Sequence, residues 1–302
     1  MSKQALAIGT FDGVHLGHQA IIKAARQFVG DGGTVTAVTF WPHPLAVLRR
    51  QSAPPLLQSQ DARAQALLAA GADNALTLDF TPELAALSPA DFAERYLTPL
   101  DPVAVSVGAN FTFGAGGLGT PATLQQLAGG RYSVLTSPIV DVDGQPVSSS
   151  RIRQVVLAGE VSQAARLLGR DFAVRGVVVH GDHRGRALGF PTANLLPDDS
   201  LVTPADGVYA GWLRCLETPC AQPRLAAVSV GDNPTFGSSR RVEAYVLDFD
   251  GDLYGQVVEV GFTRWLRGMI TFRSVDELIA QLKNDVSVVA GHNDSLSVKA
   301  TW

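Results

Sequence analysis

The chain has 302 residues, enough for two domains that each bury a core. Apolar residues make up 46% of it and charged residues 17%, the balance of an ordered globular protein. A net charge of −4 leaves no broad basic surface and so excludes a general nucleic-acid binder, and no apolar run is long enough to cross a bilayer.

Cys215 and Cys220 form no CxxC pair and have no companion ligand cluster, so they read as ordinary thiols of a reducing compartment. The N-terminus carries no basic segment followed by an apolar one. A cytoplasmic location is expected, with neither nucleic acid nor membrane among the partners; self-association stays open.

Ala5–Ile8 reads as a buried strand, and Ile21, Ala24, Ala25 and Phe28 form a helical face further on. Between them lies Gly9-Thr10-Phe11-Asp12-Gly13-Val14-His15-Leu16-Gly17-His18. A strand end followed by a helix N-terminus offers free N–H groups and the positive end of a dipole, an anion site. Gly13 and Gly17 let the backbone approach a phosphate, His15 and His18, three apart, can aim two imidazoles at it, and Gly9 and Phe11 are further candidate binding residues of the stretch. A bare HxxH would be a glycine turn with two surface histidines; the strand-turn-helix setting favours a nucleotide site.

Thr34–Phe40 is a β-branched strand that ends at Trp41-Pro42-His43-Pro44, where proline stops the ladder. Asp61–Ala70 reads as an alanine-rich helix closed by Gly71, Ser88-Pro89 opens another helix, and Val103–Val107 is a further buried strand. This alternation implies a mostly parallel sheet with helices on both faces, whose ligands bind beyond the carboxyl ends of the strands, where His15, His18 and His43 all fall. His43, between prolines, serves equally as a rigid loop residue.

The run Gly114–Gly119 matches GxGxxG but is separated from its strand by Ala109–Phe113, so a dinucleotide fingerprint is the weakest reading. Asn110 and the phenylalanines suggest a loop over a planar ligand with glycines lending mobility, or simply a flexible surface loop. Ser148–Arg153 starts a helix that runs to Leu157 and stops before Gly159. Arginines in a first turn oppose the dipole, an anomaly that a bound polyphosphate removes. Arg151 and Arg153 lie about 200° apart on the helix, so one of them faces such a ligand.

After a helix over Val161–Leu168, the pattern changes to short strands at Ala173–His180, Val208–Leu213, Leu225–Val230, Val242–Leu247 and Val257–Phe262. That spacing predicts a small antiparallel β-barrel, closed by a helix with Ser274 and Glu277 as a capping box and Val275, Leu278, Ile279 and Leu282 packed inward. The boundary is drawn at residues 170/171. The block Gly181–Asn194 supplies glycines (Gly181, Gly185, Gly189), Arg184 and Pro191 to wrap phosphates, then Thr192 and Asn194 as oxygen ligands for Mg²⁺. Alternation puts Glu243 on one face with Tyr245 and Leu247. It reads as a general base for a substrate hydroxyl; from the strand alone, an edge glutamate facing water is the simpler reading.

The motifs GTFDGVHLGH, Pro-His-Pro, GANFTFG, SSSRIR, RGRALGFPTAN, DGVYAGW, GDNPTF, VEAYVLDF, DLYG and LRGMITF occur together in this order. In them the chain resembles the bacterial bifunctional riboflavin kinase/FAD synthetases over nearly its whole length. The resemblance implies a Rossmann-like nucleotidyltransferase domain over 1–170, including the linking helices, and a riboflavin kinase barrel over 171–302. ATP would be co-substrate to both, riboflavin, FMN and FAD their substrates or products, and Mg²⁺ the metal. Residue by residue, His15 and His18 would steady the ATP phosphates and Asn110 would contact FMN or the reacting phosphate. Ser149 and Arg153 would hold the β/γ-phosphates. In the barrel Thr192 and Asn194 would bind Mg²⁺, Glu243 would deprotonate the riboflavin 5′-hydroxyl, and Arg267 would lie near the flavin in the loop before the last helix. Trp41, Asn110, Thr112, Gly117 and Ser150 depart from the commonest family pattern. Two other readings are a kinase with a weakly active N-terminal domain, which the altered arginine positions would motivate, and a non-catalytic flavin sensor, which the intact His15, His18 and Glu243 speak against.

Overall fold

A computed structural model describes residues 3–48, 53–181, 185, 188–217, 222–232 and 240–291. The chain divides into two compact units between Ser149 and Ser150.

The first unit is built on a parallel five-stranded sheet in the order β3-β2-β1-β4-β5. Its strands are β1 (Gln4–Ile8), β2 (Thr34–Trp41), β3 (Asn74–Asp79), β4 (Ala104–Gly108) and β5 (Ser133–Ser137). Period-two alternation sorts the side chains of β1 by size. Leu6 and Ile8 join Phe40, Val105, Phe92 and Leu124 in one core, while Ala5 and Ala7 join Ile21, Ile22, Ala25, Ala66 and Leu67 in the other. The second core is lined by alanines, which lets helices α1 (Leu16–Val29) and α3 (Gln60–Ala69) pack closely. Its stripe on α1 is Ile21, Ile22 and Ala25; Phe28, expected inside, is 45% exposed. Helices α3, α4 (Pro82–Ala85), α5 (Pro89–Phe92) and α6 (Pro121–Ala128) each start at a hydroxyl cap: Ser59, Thr81, Ser88 and Thr120 accept from a backbone N–H three residues on. A short helix α2 (Pro44–Leu48) and a two-stranded ribbon, β6 (Asp141–Val142) with β7 (Gln145–Pro146), complete this part.

Topology fixes where a ligand can sit. Central β1 has β2 on one side and β4 on the other, so the chain runs outward in both directions from it. Such a switch point opens a crevice outside the carboxyl ends of β1 and β4.

Helix α7 (Ser149–Leu157), whose first residue belongs to the first unit, and α8 (Val161–Leu168) precede the barrel, α8 ending on Gly169 in the left-handed conformation. The barrel is closed and antiparallel, in the order β10-β11-β12-β9-β8-β13. Its strands are β8 (Phe172–Val179), β9 (Ala193–Leu195), β10 (Gly207–Cys215), β11 (Arg224–Asp232), β12 (Arg240–Val246) and β13 (Val257–Arg267). On β12, Val242, Ala244 and Val246 are buried, while Glu243 and Tyr245 occupy the other, half-buried face, as alternation predicts. Between β10 and β13 the backbones nearly touch: a Cβ on Gly211 would fall 2.0 Å from the Gly261 carbonyl oxygen. Helix α9 (Val275–Ala290) is capped by Ser274, and Glu277 reaches back to the Arg273 N–H. Val286 and Val289 dock it on Ala210, Leu225 and Leu247 of the barrel; Val275, expected to pack, is 58% exposed.

Candidate active sites

In the first unit the chain leaves β1 through a turn with three left-handed residues, Phe11 (φ 50°), Gly13 (φ 87°) and Val14 (φ 39°). A β-branched residue there is a steric outlier costing about 1–3 kcal/mol, and it persists only where the surroundings over-determine it. The surroundings do. Phe11, Asp12 and Val14 are fully buried, the Thr10 carbonyl accepts from Thr39 Oγ1 (3.0 Å) and Arg63 Nη1 (3.1 Å), and Asp12 Oδ1 accepts from the Leu57 N–H (3.0 Å). Ser149 Oγ donates to the Asp12 carbonyl (2.8 Å).

The turn delivers His15 as the N-cap of α1. Its Nδ1 accepts from the His18 N–H (3.3 Å), so a neutral His15 carries its proton on Nε2. The two imidazoles stack with centroids 3.6 Å apart, and Phe11 meets His18 edge-on at 5.2 Å. A Cβ on Gly9 would fall 3.1 Å from the Phe11 ring, and one on Gly17 would fall 3.1 Å from the His15 ring. Gly9, Phe11, Gly13, His15 and His18 thus form one contiguous structure at the end of the central strand.

Asn110 follows β4, the neighbouring strand, and is exposed, its Oδ1 folded back over Gly108. His43 follows β2; it is buried and its Nδ1 accepts from the Leu45 N–H (3.2 Å) at the start of α2. The expected mobile aromatic loop is corrected. Phe113 is buried against Phe92, and its N–H and C=O both pair with Gly119, where a Cβ would strike the Phe113 ring at 2.6 Å. Of the glycines here, Gly114 and Gly119 serve close packing, against Pro89 and the Phe113 ring. Arg153 lies on α7 in the second unit and is buried, whereas Arg151 is only partly so.

Arg63, one of the largest fully buried side chains, escaped the sequence reading. It sits on α3 among Ala62, Ala66 and Leu67. A cation recurring at helix spacing within an apolar stripe was the signal that could have found it.

In the second unit a cavity of about 310 Å³ is lined by Gly181, Pro191, Thr192, Ala193, Asn194, Phe249 and Asp250–Tyr254, among others. Thr192 Oγ1 donates to Glu243 Oε2 (3.3 Å), and β9–β12 register sets Asn194 directly opposite Glu243. Arg241 Nη1 reaches the other Glu243 oxygen at 3.3 Å. Asn194 is 7% exposed; its amide Nδ2 donates to the Thr192 carbonyl (3.2 Å), while Oδ1 is buried with no hydrogen-bond partner among the described residues. An orphaned amide oxygen beside a hydroxyl suits a hard cation that keeps waters and takes further oxygens from phosphates. Among the described residues no group of three or more His, Cys, Asp or Glu is placed to hold a metal ion.

Gly181 and Gly185 make room here. A Cβ on Gly181 would meet the Asn194 amide at 2.6 Å, and one on Gly185 would meet the Phe190 carbonyl at 2.3 Å. Gly189 is left-handed (φ 83°), and Arg184 lies outside the described residues. Arg267, placed by the resemblance in a loop, is the last residue of β13. Its Nη2 and Nε bond Asp285 of α9 at 2.7 and 3.1 Å, which fixes the strand end to the helix.

Fold and sites together define the class. A parallel α/β unit with a glycine turn at its switch point is followed by a closed barrel with a hydroxyl-amide-carboxylate group. The FAD synthetase family model matches residues 1–151 and the riboflavin kinase model residues 168–292. This is a two-module flavin-nucleotide transferase. The bifunctional riboflavin kinase/FMN adenylyltransferase of Listeria monocytogenes is 37% identical over 287 residues, covering 93% of this chain and 90% of that one. Those of Bacillus subtilis and Escherichia coli K12 are 32% and 34% identical over 94% and 93% of this chain and 90% of each relative. The chain belongs to the bifunctional riboflavin kinase/FMN adenylyltransferase family. A crystal structure of a Streptococcus pneumoniae protein named macrolide-efflux protein superposes with a TM-score of 0.86 at 34% identity, covering 96% of this chain and 94% of that one. No described helix of the present chain is long and apolar enough to cross a membrane.

Proposed function

We propose that this chain makes FMN from riboflavin and FAD from FMN, with residues 171–302 phosphorylating riboflavin and residues 1–170 adenylylating FMN. The observation that carries the reading is the Thr192–Asn194–Glu243 group: an unpartnered buried oxygen and a hydroxyl on the wall of one cavity, with a carboxylate hydrogen-bonded to that hydroxyl.

In the kinase reaction Glu243 takes the proton from the riboflavin 5′-hydroxyl as that oxygen bonds to the γ-phosphorus of ATP and ADP leaves. Thr192 Oγ1 donates to one carboxylate oxygen and Arg241 to the other, so the base is held in place with a lone pair available. Thr192 and Asn194 would hold Mg²⁺, which when bound neutralises phosphate charge. Gly181, Gly185, Gly189 and Pro191 shape the wall against the phosphates.

In the second reaction an FMN phosphate oxygen attacks the α-phosphorus of ATP and pyrophosphate leaves, with no protein nucleophile. His15 and His18 donate to the phosphates, the turn from Gly9 to Gly13 lets the backbone approach them, and Ser149 steadies that turn. Asn110 and His43, on the flanking loops at the same sheet edge, contact the flavin nucleotide. The test is to incubate the protein with riboflavin, ATP and Mg²⁺ and resolve the products by chromatography. FMN and FAD are both expected. FMN alone would leave the N-terminal unit without turnover, and unchanged riboflavin would refute the reading.

A further inference from the structure

The adenylylation turn is held by a residue that touches neither phosphate nor flavin in the account above. Arg63 is 1% exposed, and its Nη1 donates both to the Thr10 carbonyl (3.1 Å) just past β1 and to the Phe40 carbonyl (3.2 Å) at the end of β2. Its Nη2 lies 3.7 Å from Asp12 Oδ1, and its guanidinium carbon lies 5.3 Å from the Trp41 ring centre. Nε and Nη2 have no hydrogen-bond partner among the described residues.

As a stabilising device this is a poor one. Burial pushes the guanidinium pKa down and Asp12 opposes it only in part. A buried ion pair with unsatisfied donors is weak support for stability, and an apolar side chain of the same volume would do as well or better. What the guanidinium does supply is geometry. One amino group of the rigid guanidinium, Nη1, holds two carbonyls at a fixed separation, which no apolar side chain can do. Those carbonyls belong to adjacent strands, at the edge of the sheet where the left-handed turn begins.

We propose that Arg63 is a positioning residue for FMN adenylylation: by clamping Thr10 and Phe40 it holds the Gly9–Val14 turn in the shape that presents the histidine pair. The proposal rests on reading that turn as the adenylylation site. Asp12 extends the clamp, since its carboxylate faces Arg63 and its carbonyl takes the Ser149 hydroxyl.

The experiment compares full-length wild type, Arg63→Met and Arg63→Lys, measuring riboflavin phosphorylation and FMN adenylylation separately. Arg63→Met is expected to lower kcat/KM for adenylylation by roughly 10²-fold, because a displacement near 1 Å suffices for that. Part of this loss should be a rise in KM for ATP. A shortage of folded molecules lowers kcat without moving KM, so the KM rise is what a merely structural residue would not produce. Riboflavin phosphorylation by the same polypeptide should stay within about twofold, as expected for independent sites. Arg63→Lys keeps the charge and a donor nitrogen but on a flexible stem without the rigid plane, and should fall between the two. If Arg63→Met does not fold, the KM for ATP of Arg63→Lys decides. Wild-type constants in either folded variant, a loss confined to kcat, or failure of both variants to fold would overturn the proposal. Wild type that converts no FMN to FAD removes the underlying reading first, and that result is visible without any variant.

Discussion

Gly181→Ala is the sharpest probe of the kinase site, because it adds one carbon to a place with no space for it. The new Cβ would fall 2.6 Å from Cγ, Nδ2 and Oδ1 of Asn194 at once, so rotating the amide about its own axis gives no relief. Ordinary contacts begin near 3.4 Å, and the amide must therefore retreat by about 0.8 Å. Its bonds to the Thr192 carbonyl (3.2 Å) and hydroxyl (3.4 Å) would stretch or break. Two neutral hydrogen bonds at ~1 kcal/mol each and overpacking of ~1 kcal/mol amount to roughly 2–3 kcal/mol against the productive arrangement. That corresponds to a loss of about 30- to 150-fold, in line with the cost of a misplacement near 1 Å. FMN formation should be followed by chromatography at saturating ATP, with FMN-to-FAD conversion as the internal control. Kinase activity within about twofold of wild type would show that Asn194 is not part of the working geometry.

Glu243→Gln should reduce FMN formation by about 10²- to 10⁴-fold while leaving FMN-to-FAD conversion intact; equal loss of both would argue against separate sites. His18→Ala should do the reverse, lowering adenylylation by roughly 10²-fold, and an unaffected FAD yield would refute its role. Asp285→Ala leaves the partly buried Arg267 without its carboxylate, so stability in a denaturant titration should fall by about 1–3 kcal/mol, and an unchanged midpoint would refute the pair's contribution. The Val35 N–H, chiefly, and Arg26 hold the Asp73 carboxyl below its ordinary value of 3.8. A folded pKa below the unfolded one gives stability that is fully present above the unfolded value and lost as pH falls through the folded one. Asp73→Asn should therefore flatten the decline of the urea midpoint below about pH 4, and an unchanged decline would show that the group is not linked to folding.

The elements that sequence reading found are those whose local chemistry is unambiguous. Helix α8 begins at Val161 and ends at Leu168 before Gly169, as periodicity and the glycine stop predict. Ser88-Pro89 was legible as a cap followed by proline, and Thr81-Pro82 and Thr120-Pro121 carry the same signature for α4 and α6, which were not picked out. Strand β9 was absorbed into a binding motif, since three residues carry too little alternation to announce a strand. Phe28 and Val275 fit an apolar stripe by spacing, yet both face outward, because a helix buries only the arc its neighbours cover. Phe113 failed for the opposite reason. Glycine-rich loops read as mobile, and only tertiary packing reveals a glycine whose absent side chain admits a ring. Within the sites, the sequence named the groups and the fold supplied their pairings. Nothing local links Asn194 to Glu243, or Arg63 to the Thr10 carbonyl.

That difference bears on how the two sites tolerate change. The proposed kinase group depends on strand register: Glu243 faces Asn194 because β12 pairs with β9 residue for residue, from Val242 opposite Leu195 to Ala244 opposite Ala193. A slip of one residue would put an apolar side chain where the carboxylate stands. Closure of the barrel prevents the slip, since β9 is paired with β12 on one side and β8 on the other. The chemistry there is thus as secure as the barrel itself, and destabilising the barrel should erode phosphorylation in proportion to unfolding. The proposed adenylylation turn has no such ladder. Its shape is held by hydrogen bonds to Thr10 and Asp12 from Thr39, Arg63, Leu57 and Ser149, on four separate segments. Losing one of them leaves the sheet intact and the turn free to relax, so substitutions there should impair FAD formation well before they lower stability.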